Sequence, residues 1–271
     1  MIRIDNKPIP LNTREVRLFI VGVDAAELIP HSFRHHFGIG VDRIFYIDNN
    51  STDNSLDVLS EYDRVHVWLQ PDTFSGGETP VKSGMIWVES LMRQYAVGNW
   101  CLIMDTDELF VYPGWKTNTI HHFLSGLDGD CVTTDLIDMY STRMVKETVI
   151  KGSFLATCPY TDRTGNCRKR VLDFMPLTVN MPLFIYSPSI NVEAGRHQVH
   201  GYEKMASTRC NILHFKFMAV LVDRLRKHGH KMSQSALKSV VYKDIGDVNF
   251  YDPEISVRYE CIAANNHHEK A

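Results

Sequence analysis

Short strand-like runs alternate with helix-forming segments through the first half of the chain. The runs that have the β-branched and aromatic content of strands are 15–23, 43–48, 64–70 and 99–105. The segments with helical patterning and capping or Pro/Gly boundary signals are 25–40, 54–63, 79–96 and 117–129. This alternation is typical of a mainly parallel sheet with crossover helices. We therefore predict an α/β fold.

The regular pattern loosens beyond about residue 130. One more strand is predicted at 131–141, a loop-rich stretch follows, and helices are predicted at 217–230 and 233–243. No linker is long or polar enough to divide the 271 residues. We predict a single domain spanning 1–271, with a nucleotide half at about 15–130 and an acceptor half at about 131–245.

Composition narrows the function classes. The residues are 44% apolar and 23% charged, and the net charge of −3 gives no reason to expect nucleic acid as a partner. No apolar stretch reaches the roughly 18 residues of a membrane span, and the N-terminus lacks a signal-peptide pattern. Six cysteines are scattered without a CxxC pair and are typical of reduced structural thiols. We expect a cytoplasmic protein.

Acidic clusters follow two of the predicted strands. "YIDNNSTD" ends the second strand and "IMDTDE" ends the fourth. Ligands of open α/β sheets bind at such carboxyl ends. In an extended segment, Asp105 and Asp107 would point to the same side. Carboxylates at this spacing suit a hard divalent cation that also binds diphosphate oxygens, although a solvated turn would have the same sequence.

The "DNNSTD" segment has two interpretations. Asp48 could accept hydrogen bonds from a base or ribose, with Asn49 beside it offering donors and acceptors. Alternatively, the asparagines form a turn and Ser51 to Asp53 cap the next helix. Both can hold together, because the cap does not require Asp48.

Five blocks in order resemble a bacterial subgroup of glycosyltransferase family 2. The blocks are "FRHHFGIGVDRIFYIDNNSTDNSLDVL", "WCLIMDTDELFVYP", "DLIDMYS", "RKRVLDF" with "MPLF", and "LHFKF". The resemblance runs from about residue 15 to 245. It implies a GT-A fold, which is a Rossmann-like mixed, mostly parallel sheet flanked by helices, with a loop-rich acceptor half and C-terminal helices.

The resemblance also implies roles for individual residues. Asp48 and Asn49 match the acid and its neighbour that hold the nucleoside. Asp105 and Asp107 match the D-x-D motif, with Asp105 near the ribose and metal and Asp107 on Mn²⁺ or Mg²⁺. His214 is similar to a late histidine that adds a metal ligand, although a lone histidine is also typical of a core.

Two features complicate this assignment. The subgroup tends to carry Arg-Asn-Glu after the first strand, whereas this chain has Gly22, Val23 and Asp24, which puts recognition of the base in doubt. His197, in a glycine-flanked loop, competes with His214 as a metal ligand and is also a candidate for substrate contact.

Three cations are candidates for binding phosphate. Lys216 would share a face with His214 in an extended segment, and a surface lysine is the alternative. Arg168 and Arg170 could hold the donor diphosphate or an anionic acceptor through bidentate contacts, or lie on a solvated loop.

Asp138 is our candidate for the catalytic base. An inverting transfer needs a base to take the proton of the acceptor hydroxyl. Apolar neighbours would raise the Asp138 pKa into a useful range; a turn-capping acid is the alternative. Glu108 is expected to orient the loop or to bind the acceptor. Asp135 is a weaker candidate than Asp138 for the base. Tyr140 and Trp115 are candidate platforms for stacking a sugar.

Together these expectations describe a metal-dependent, inverting glycosyltransferase. The donor would be a nucleotide-sugar, with a UDP-sugar as the preferred candidate. The acceptor would be a hydroxyl group of a glycan or of a lipid-linked acceptor in bacterial surface polysaccharide biosynthesis. An inactive nucleotide-sugar-binding relative and a phosphohydrolase that uses the D-x-D acids are the alternatives. Peripheral association with the inner face of a membrane stays open.

Overall fold

A computed structural model describes residues 1–11, 13–71, 80–228 and 244–259. The chain forms two compact units. The first comprises Met1–Asp135 and Val179–Ile212, and the second comprises Leu136–Thr178 and Leu213–Ala271. The first unit is therefore completed by a late segment of the chain. The predicted single domain stays a prediction.

The strands within the described residues are numbered in chain order. They are β1 Ile2–Arg3, β2 Val16–Gly22, β3 Arg43–Asp48, β4 Val65–Leu69, β5 Trp100–Ile103, β6 Glu108–Val111, β7 Cys131–Asp138, β8 Tyr160–Asp162, β9 Val179–Ile185, β10 Asn191–Val192, β11 Val199–His200, β12 Cys210–His214 and β13 Ser256–Arg258. The α-helices are α1 Ile29–Gly38, α2 Ser55–Ser60, α3 Pro80–Tyr95, α4 Ile120–Ser125, α5 Phe154–Thr157, α6 Cys167–Leu172 and α7 Ala219–His228.

A nine-stranded sheet has the order β1-β4-β3-β2-β5-β9-β7-β12-β6. Its strands β4, β3, β2 and β5 run parallel, whereas β9 runs antiparallel to both β5 and β7. The predicted α/β fold, a mixed sheet with a parallel part and flanking helices, is confirmed. The four predicted strands of the first half and their helices all form, with ends that differ by a few residues.

Four strands of this sheet were not predicted, namely β1, β6, β9 and β12. β6 follows the acidic turn directly, and β9 lies in the stretch that was expected to be loop-rich. A proline usually argues against a central strand because it cannot donate a ladder hydrogen bond. Pro182 is tolerated here because the β7–β9 register shifts between Val132 and Thr134, so the ladder is interrupted beside it.

An aromatic core holds the parallel strands against their helices. Phe19 of β2 stacks on Phe45 of β3 with ring centroids 4.9 Å apart, and Phe45 in turn stacks on Trp68 of β4 at 5.7 Å. All three side chains are buried. Burial of rings this large dominates core energetics.

Two adjacent histidines join α1 to β6. The ring Nε2 of His35 lies 2.7 Å from the carbonyl oxygen of Phe110, and the backbone N–H of Phe110 donates to His36 Nε2 at 3.4 Å. Burial lowers the pKa of His35 to about 4 and that of His36 well below its ordinary value. Both rings are therefore neutral at pH 7.

The second unit has its own small sheet and core. β13 pairs antiparallel with β8, and a cluster around Tyr140, Phe217 and Phe250 forms the apolar centre. α7 confirms most of the predicted helix at 217–230, whereas the predicted helix at 233–243 lies outside the described residues.

Two expectations from composition can be compared with the structure. The thiols of Cys101, Cys131, Cys158, Cys167 and Cys210 are buried and free, whereas Cys261 lies outside the described residues. In the part of the chain that the structure describes, no helix combines the length and apolar character needed to cross a bilayer.

Candidate active site

Three neighbouring parallel strands end at one edge of the sheet in the first unit. In register, Gly22 of β2 lies opposite Asp48 of β3, and Phe19 of β2 lies opposite Ile103 of β5. Asp105 follows two residues after Ile103, so it lies near the level of Asp48. With two strand spacings between them, β3 and β5 are about 10 Å apart. The sheet thus places both acidic clusters at one edge, as expected.

The D-x-D segment is a tight turn between β5 and β6. The N–H of Glu108 donates to the carbonyl of Asp105 at 3.2 Å, and Thr106 is buried. The expectation that Asp105 and Asp107 share a face of an extended segment is therefore wrong, because the chain reverses there. The side chain of Asp105 is 63% exposed and that of Asp107 is partly exposed.

A buried ion pair holds this turn. Arg196 donates from Nη1 and Nη2 to the two carboxylate oxygens of Glu108, each at 2.9 Å, and from Nη1 to the carbonyl of Ile103 at 2.7 Å. Burial alone would lower the Arg196 pKa, but the charges of Glu108 and Asp105 raise it above its ordinary value. The expectation that Glu108 orients the loop agrees with this contact.

Arg196 was not identified from the sequence. It lies 88 residues from Glu108 and next to His197, which had been singled out. The only local signal in the sequence was the preceding Gly195. In the structure, Gly195 and Arg196 both have positive φ, +79° and +60°. A non-glycine residue in this region is uncommon and points to a position fixed by its contacts. His197 itself lies with Nδ1 3.0 Å from the carbonyl of Val179.

Asp48 is buried and organises the loop after β3. Its carboxylate accepts hydrogen bonds from the N–H and the hydroxyl of Ser51. Burial raises its pKa despite these bonds. Asn49, also buried, donates to the carbonyl of Gln70 at 3.1 Å. Asp48 and Asn49 therefore stabilise this loop through buried hydrogen bonds. Their contact with a nucleoside stays a prediction.

Asp24 ties the loops after β2 and β3 together. Its Oδ1 accepts from the N–H of Thr52 at 2.6 Å and from that of Asp53 at 3.2 Å, while its own N–H donates to Ser51 Oγ at 2.9 Å. Asp53 in turn accepts the N–H of Ser55 at the start of α2, whereas the N-cap residue is Asn54, whose side chain makes no cap hydrogen bond. The residue that departs from the family pattern thus fixes the shape of the loop.

A second cluster of predicted residues lies in the second unit. Asp138 pairs with Arg168 through Oδ1, which also lies 2.9 Å from Nδ1 of His214. Burial alone would raise the Asp138 pKa, but the charge of Arg168 and the hydrogen bonds of His214 and Arg168 hold it well below its ordinary value. The expected raised pKa is wrong, because a cation from α6 outweighs the apolar neighbours.

The ring of His214 lies between opposite charges. Its Nδ1 is 2.9 Å from the Asp138 carboxylate and 2.7 Å from Nη2 of Arg168. A ring nitrogen either donates to the first or accepts from the second, since it cannot do both. His214 is thus a member of the Asp138–Arg168 cluster, and a further role as metal ligand stays a prediction.

The remaining predicted residues divide between structure and surface. Arg170 donates to Asp162 at 2.8 Å and to the carbonyl of Phe250 at 2.7 Å. Lys216 follows β12 and is half-buried. Tyr140 is 1% exposed and hydrogen-bonds Ser256 at 2.9 Å, so it cannot stack on a sugar as expected.

Two other residues singled out in the sequence can also be placed. The ring of Trp115 lies 5.3 Å from that of His35 and is partly exposed. Asp135 is paired with Arg209 at 2.6 Å on the surface.

The carboxylates Asp105 and Asp107 have the oxygen chemistry that Mn²⁺ or Mg²⁺ requires. Across residues 1–11, 13–71, 80–228 and 244–259, however, no three His, Cys, Asp or Glu side chains form a ready metal cluster. The donor type fits a divalent cation, and substrate oxygens or water would have to complete the coordination.

The predicted site residues fall into two groups. Asp48, Asn49, Asp105 and Asp107 belong to the first unit, where the sheet brings them to one edge. The second unit contains the others, which are Asp138, Arg168, Arg170, His214 and Lys216.

Comparisons with known proteins show only distant likeness. No protein-family model matches the sequence, and no curated protein matches it. A nucleotidyl transferase from Methanothermobacter thermautotroptrophicus is 15% identical, with a TM-score of 0.29, over 48% of this chain and 63% of that chain.

Two other solved structures give similar values. Glucosyl-3-phosphoglycerate synthase from Mycobacterium tuberculosis, in complex with Mn²⁺, UDP and phosphoglyceric acid, is 17% identical, with a TM-score of 0.31, over 50% of this chain and 46% of that chain. A 4-diphosphocytidyl-2C-methyl-D-erythritol synthase is 11% identical, with a TM-score of 0.33, over 89% of this chain and 95% of that chain. The chain thus spans less than two thirds of the first two structures, and TM-scores this low carry no conclusion about activity.

Proposed function

We propose that the chain is a metal-dependent glycosyltransferase of the GT-A type. It binds a nucleotide-sugar, with a UDP-sugar as the preferred candidate, at the edge formed by β3, β2 and β5. One observation carries this proposal. The loop around Asp48 and the exposed turn of Asp105 and Asp107 lie at the carboxyl ends of parallel strands in one sheet. Ligands of open α/β sheets bind at that edge. The five-block resemblance to family 2 supports the same activity.

The acids of the turn differ in exposure: Glu108 is buried, whereas Asp105 and Asp107 reach the surface, where a cation could bind. Arg196 pairs with Glu108 inside the fold at 2.9 Å and lies 4.0 Å from Asp105 Oδ2, while the side chain of Asp105 is exposed and that of Asp107 partly exposed. These two side chains would hold Mn²⁺ or Mg²⁺. A bound cation supplies Lewis-acid stabilisation of the charge on the leaving nucleoside diphosphate.

The loop after β3 would receive the nucleoside. Asp48 and Asp24 hold this loop through its N–H groups, so its shape is fixed before a ligand arrives. We propose that Asp48 and Asn49 act by maintaining this shape, with Asp105 beside the ribose. A preformed loop loses less conformational entropy when it binds.

The acceptor side of the reaction is assigned to the second unit. We propose Asp138 as the base that takes the proton of the acceptor hydroxyl in an inverting transfer. The charge of Arg168 keeps Asp138 ionised at neutral pH and makes it a weaker base than expected, because a low pKa reduces the affinity of the carboxylate for a proton. Arg168, Arg170 and Lys216 are the proposed phosphate ligands, and His214 the proposed additional metal ligand.

The acceptor in this proposal is a hydroxyl of a glycan or lipid-linked glycan in surface polysaccharide synthesis, as the resemblance implies. The inactive nucleotide-sugar-binding relative is kept as a second candidate, because Gly22, Val23 and Asp24 stand where the subgroup tends to carry Arg-Asn-Glu.

Release of UDP from a panel of UDP-sugars, measured with Mn²⁺ and with chelator, tests the proposal. The full chain should release UDP only with metal, and Asp107→Asn should abolish this release. Asp173→Asn is the matched control, because Asp173 is an exposed acid at the end of α6 and asparagine tolerates its left-handed backbone. UDP binding without turnover of any sugar would favour the inactive relative, and metal-independent turnover would overturn the proposal.

A further inference from the structure

A cavity of about 260 Å³ opens on the second unit, and none of the residues proposed above for catalysis or binding lines it. Of the described residues that line it, three are cations, Arg143, Lys151 and Arg258, and one, Glu147, is an acid. This excess of positive charge stands out in a chain whose net charge is −3. A concave surface with one sign of charge concentrates ligands of the opposite sign.

The backbone that carries these cations is held in place. The N–H of Arg143 donates to Ser141 Oγ at 3.0 Å, and that hydroxyl lies 2.7 Å from Thr148 Oγ1. The N–H of Lys151 donates to Thr157 Oγ1 at 2.8 Å. Ser141, Thr148 and Thr157 also line the cavity, so its wall has hydroxyl groups besides cations.

Strand pairing positions the third cation. Arg258 of β13 lies opposite Tyr160 of β8, and its guanidinium carbon is 5.5 Å from the centre of the Tyr160 ring. The ring holds the guanidinium over one side of the cavity. Within the part of the chain that the structure describes, the side chains of Arg143 and Lys151 make no ion pair, which leaves their charge available to a ligand.

We propose that this cavity binds the phosphate group of a small phosphorylated molecule. Guanidinium groups hold phosphate oxygens in bidentate fashion and an ammonium group adds a point charge. The volume is below the roughly 300 Å³ at which sites for drug-sized ligands begin, so it suits a phosphate with a few attached atoms.

Titration calorimetry without donor or metal tests the cavity independently of the transferase. Glycerol phosphate should bind the full chain and glycerol should not. Arg143→Ala and Lys151→Ala should each weaken binding about tenfold, because each removes a charge-assisted contact. Arg163→Ala, which removes an exposed cation outside the cavity lining, should leave binding unchanged. Arg143 and Lys151 are exposed, so urea unfolding should show the variants to be as stable as the parent.

Vesicles of equal parts phosphatidylcholine and phosphatidylserine distinguish a soluble phosphate from a lipid headgroup. The small-molecule assignment predicts that glycerol phosphate binds and that vesicles do not compete with it. Binding to vesicles alone, absence of heat with glycerol phosphate, or equal binding by the parent and both cavity variants would each overturn the proposal.

Discussion

The guanidinium of Arg196 holds both carboxylate oxygens of Glu108 at 2.9 Å, with both side chains nearly inaccessible to solvent. This pair fixes the turn that presents Asp105, because Glu108 also accepts the Asp105 N–H at 2.8 Å. The acidic rim of the sheet is therefore built on a buried cation from a distant loop.

Removal of one partner of this pair should destabilise the first unit strongly. Arg196→Met leaves the Glu108 carboxylate buried without its cation, which costs about 3 to 5 kcal/mol of unfolding free energy. Urea unfolding measures the loss. Asp135→Asn, which breaks the exposed pair with Arg209, is the control and should cost less than about 1 kcal/mol. Equal losses in the two variants would show that the Arg196 pair is not structural.

A methyl group at Gly22 should disrupt the end of β2. A Cβ there would lie 1.9 Å from the hydroxyl oxygen of Tyr46, which is buried in β3. Gly22→Ala should cost about 1 to 3 kcal/mol through overpacking. Tyr46→Phe removes the nearest atom, so the double variant should lose less than the sum of the single variants. Strict additivity in a double-mutant cycle would contradict this contact.

Acid should weaken the packing of α1 on β6. The folded pKa of His35 is about 4, below the ordinary 6.5, so the unfolded chain takes up a proton first as the pH falls. The stabilisation is complete above pH 6.5 and is lost as the pH falls towards about 4, to the extent of about 3 kcal/mol. His35→Asn should flatten the pH dependence of urea unfolding between these values. An unchanged slope would refute the assignment.

The parallel part of the fold was predictable because its signal is local. The spacing of apolar residues alternates between strand and helix periods through β2, β3, β4 and β5, and each element forms. β6 and β9 were missed for physical reasons. β6 has only four residues, and β9 contains Pro182, which is tolerated because the register shift beside it interrupts the ladder with β7, a strand far away in the sequence.

The placement of the acidic clusters at one edge of the sheet was predictable, whereas the pKa of Asp138 was not. Strand ends placed Asp48 and Asp105 at one edge. The pKa of Asp138, however, depends on Arg168, which is 30 residues away in the sequence, on α6. No local pattern encodes that contact, so the apolar neighbours of Asp138 in the sequence suggested a pKa shift of the wrong sign. Arg196 was missed for the same reason.

Substitution of the exposed acid of the turn should separate binding from stability. The Asp105 side chain is largely in solvent, so Asp105→Asn should change the unfolding free energy by less than about 0.5 kcal/mol. Under the proposed function it should still weaken Mn²⁺-dependent binding of UDP about tenfold, because it removes a carboxylate ligand. A large loss of stability would instead assign Asp105 a structural role.

The most direct test is calorimetric titration of UDP into the full chain, with Mn²⁺ and with chelator. The account predicts binding only when Mn²⁺ is present, and loss of that binding in Asp107→Asn while Asp173→Asn binds as the parent does. Equal binding of UDP with and without metal, or no binding under either condition, would contradict the central claim that the turn at Asp105 and Asp107 forms a metal-dependent nucleotide site.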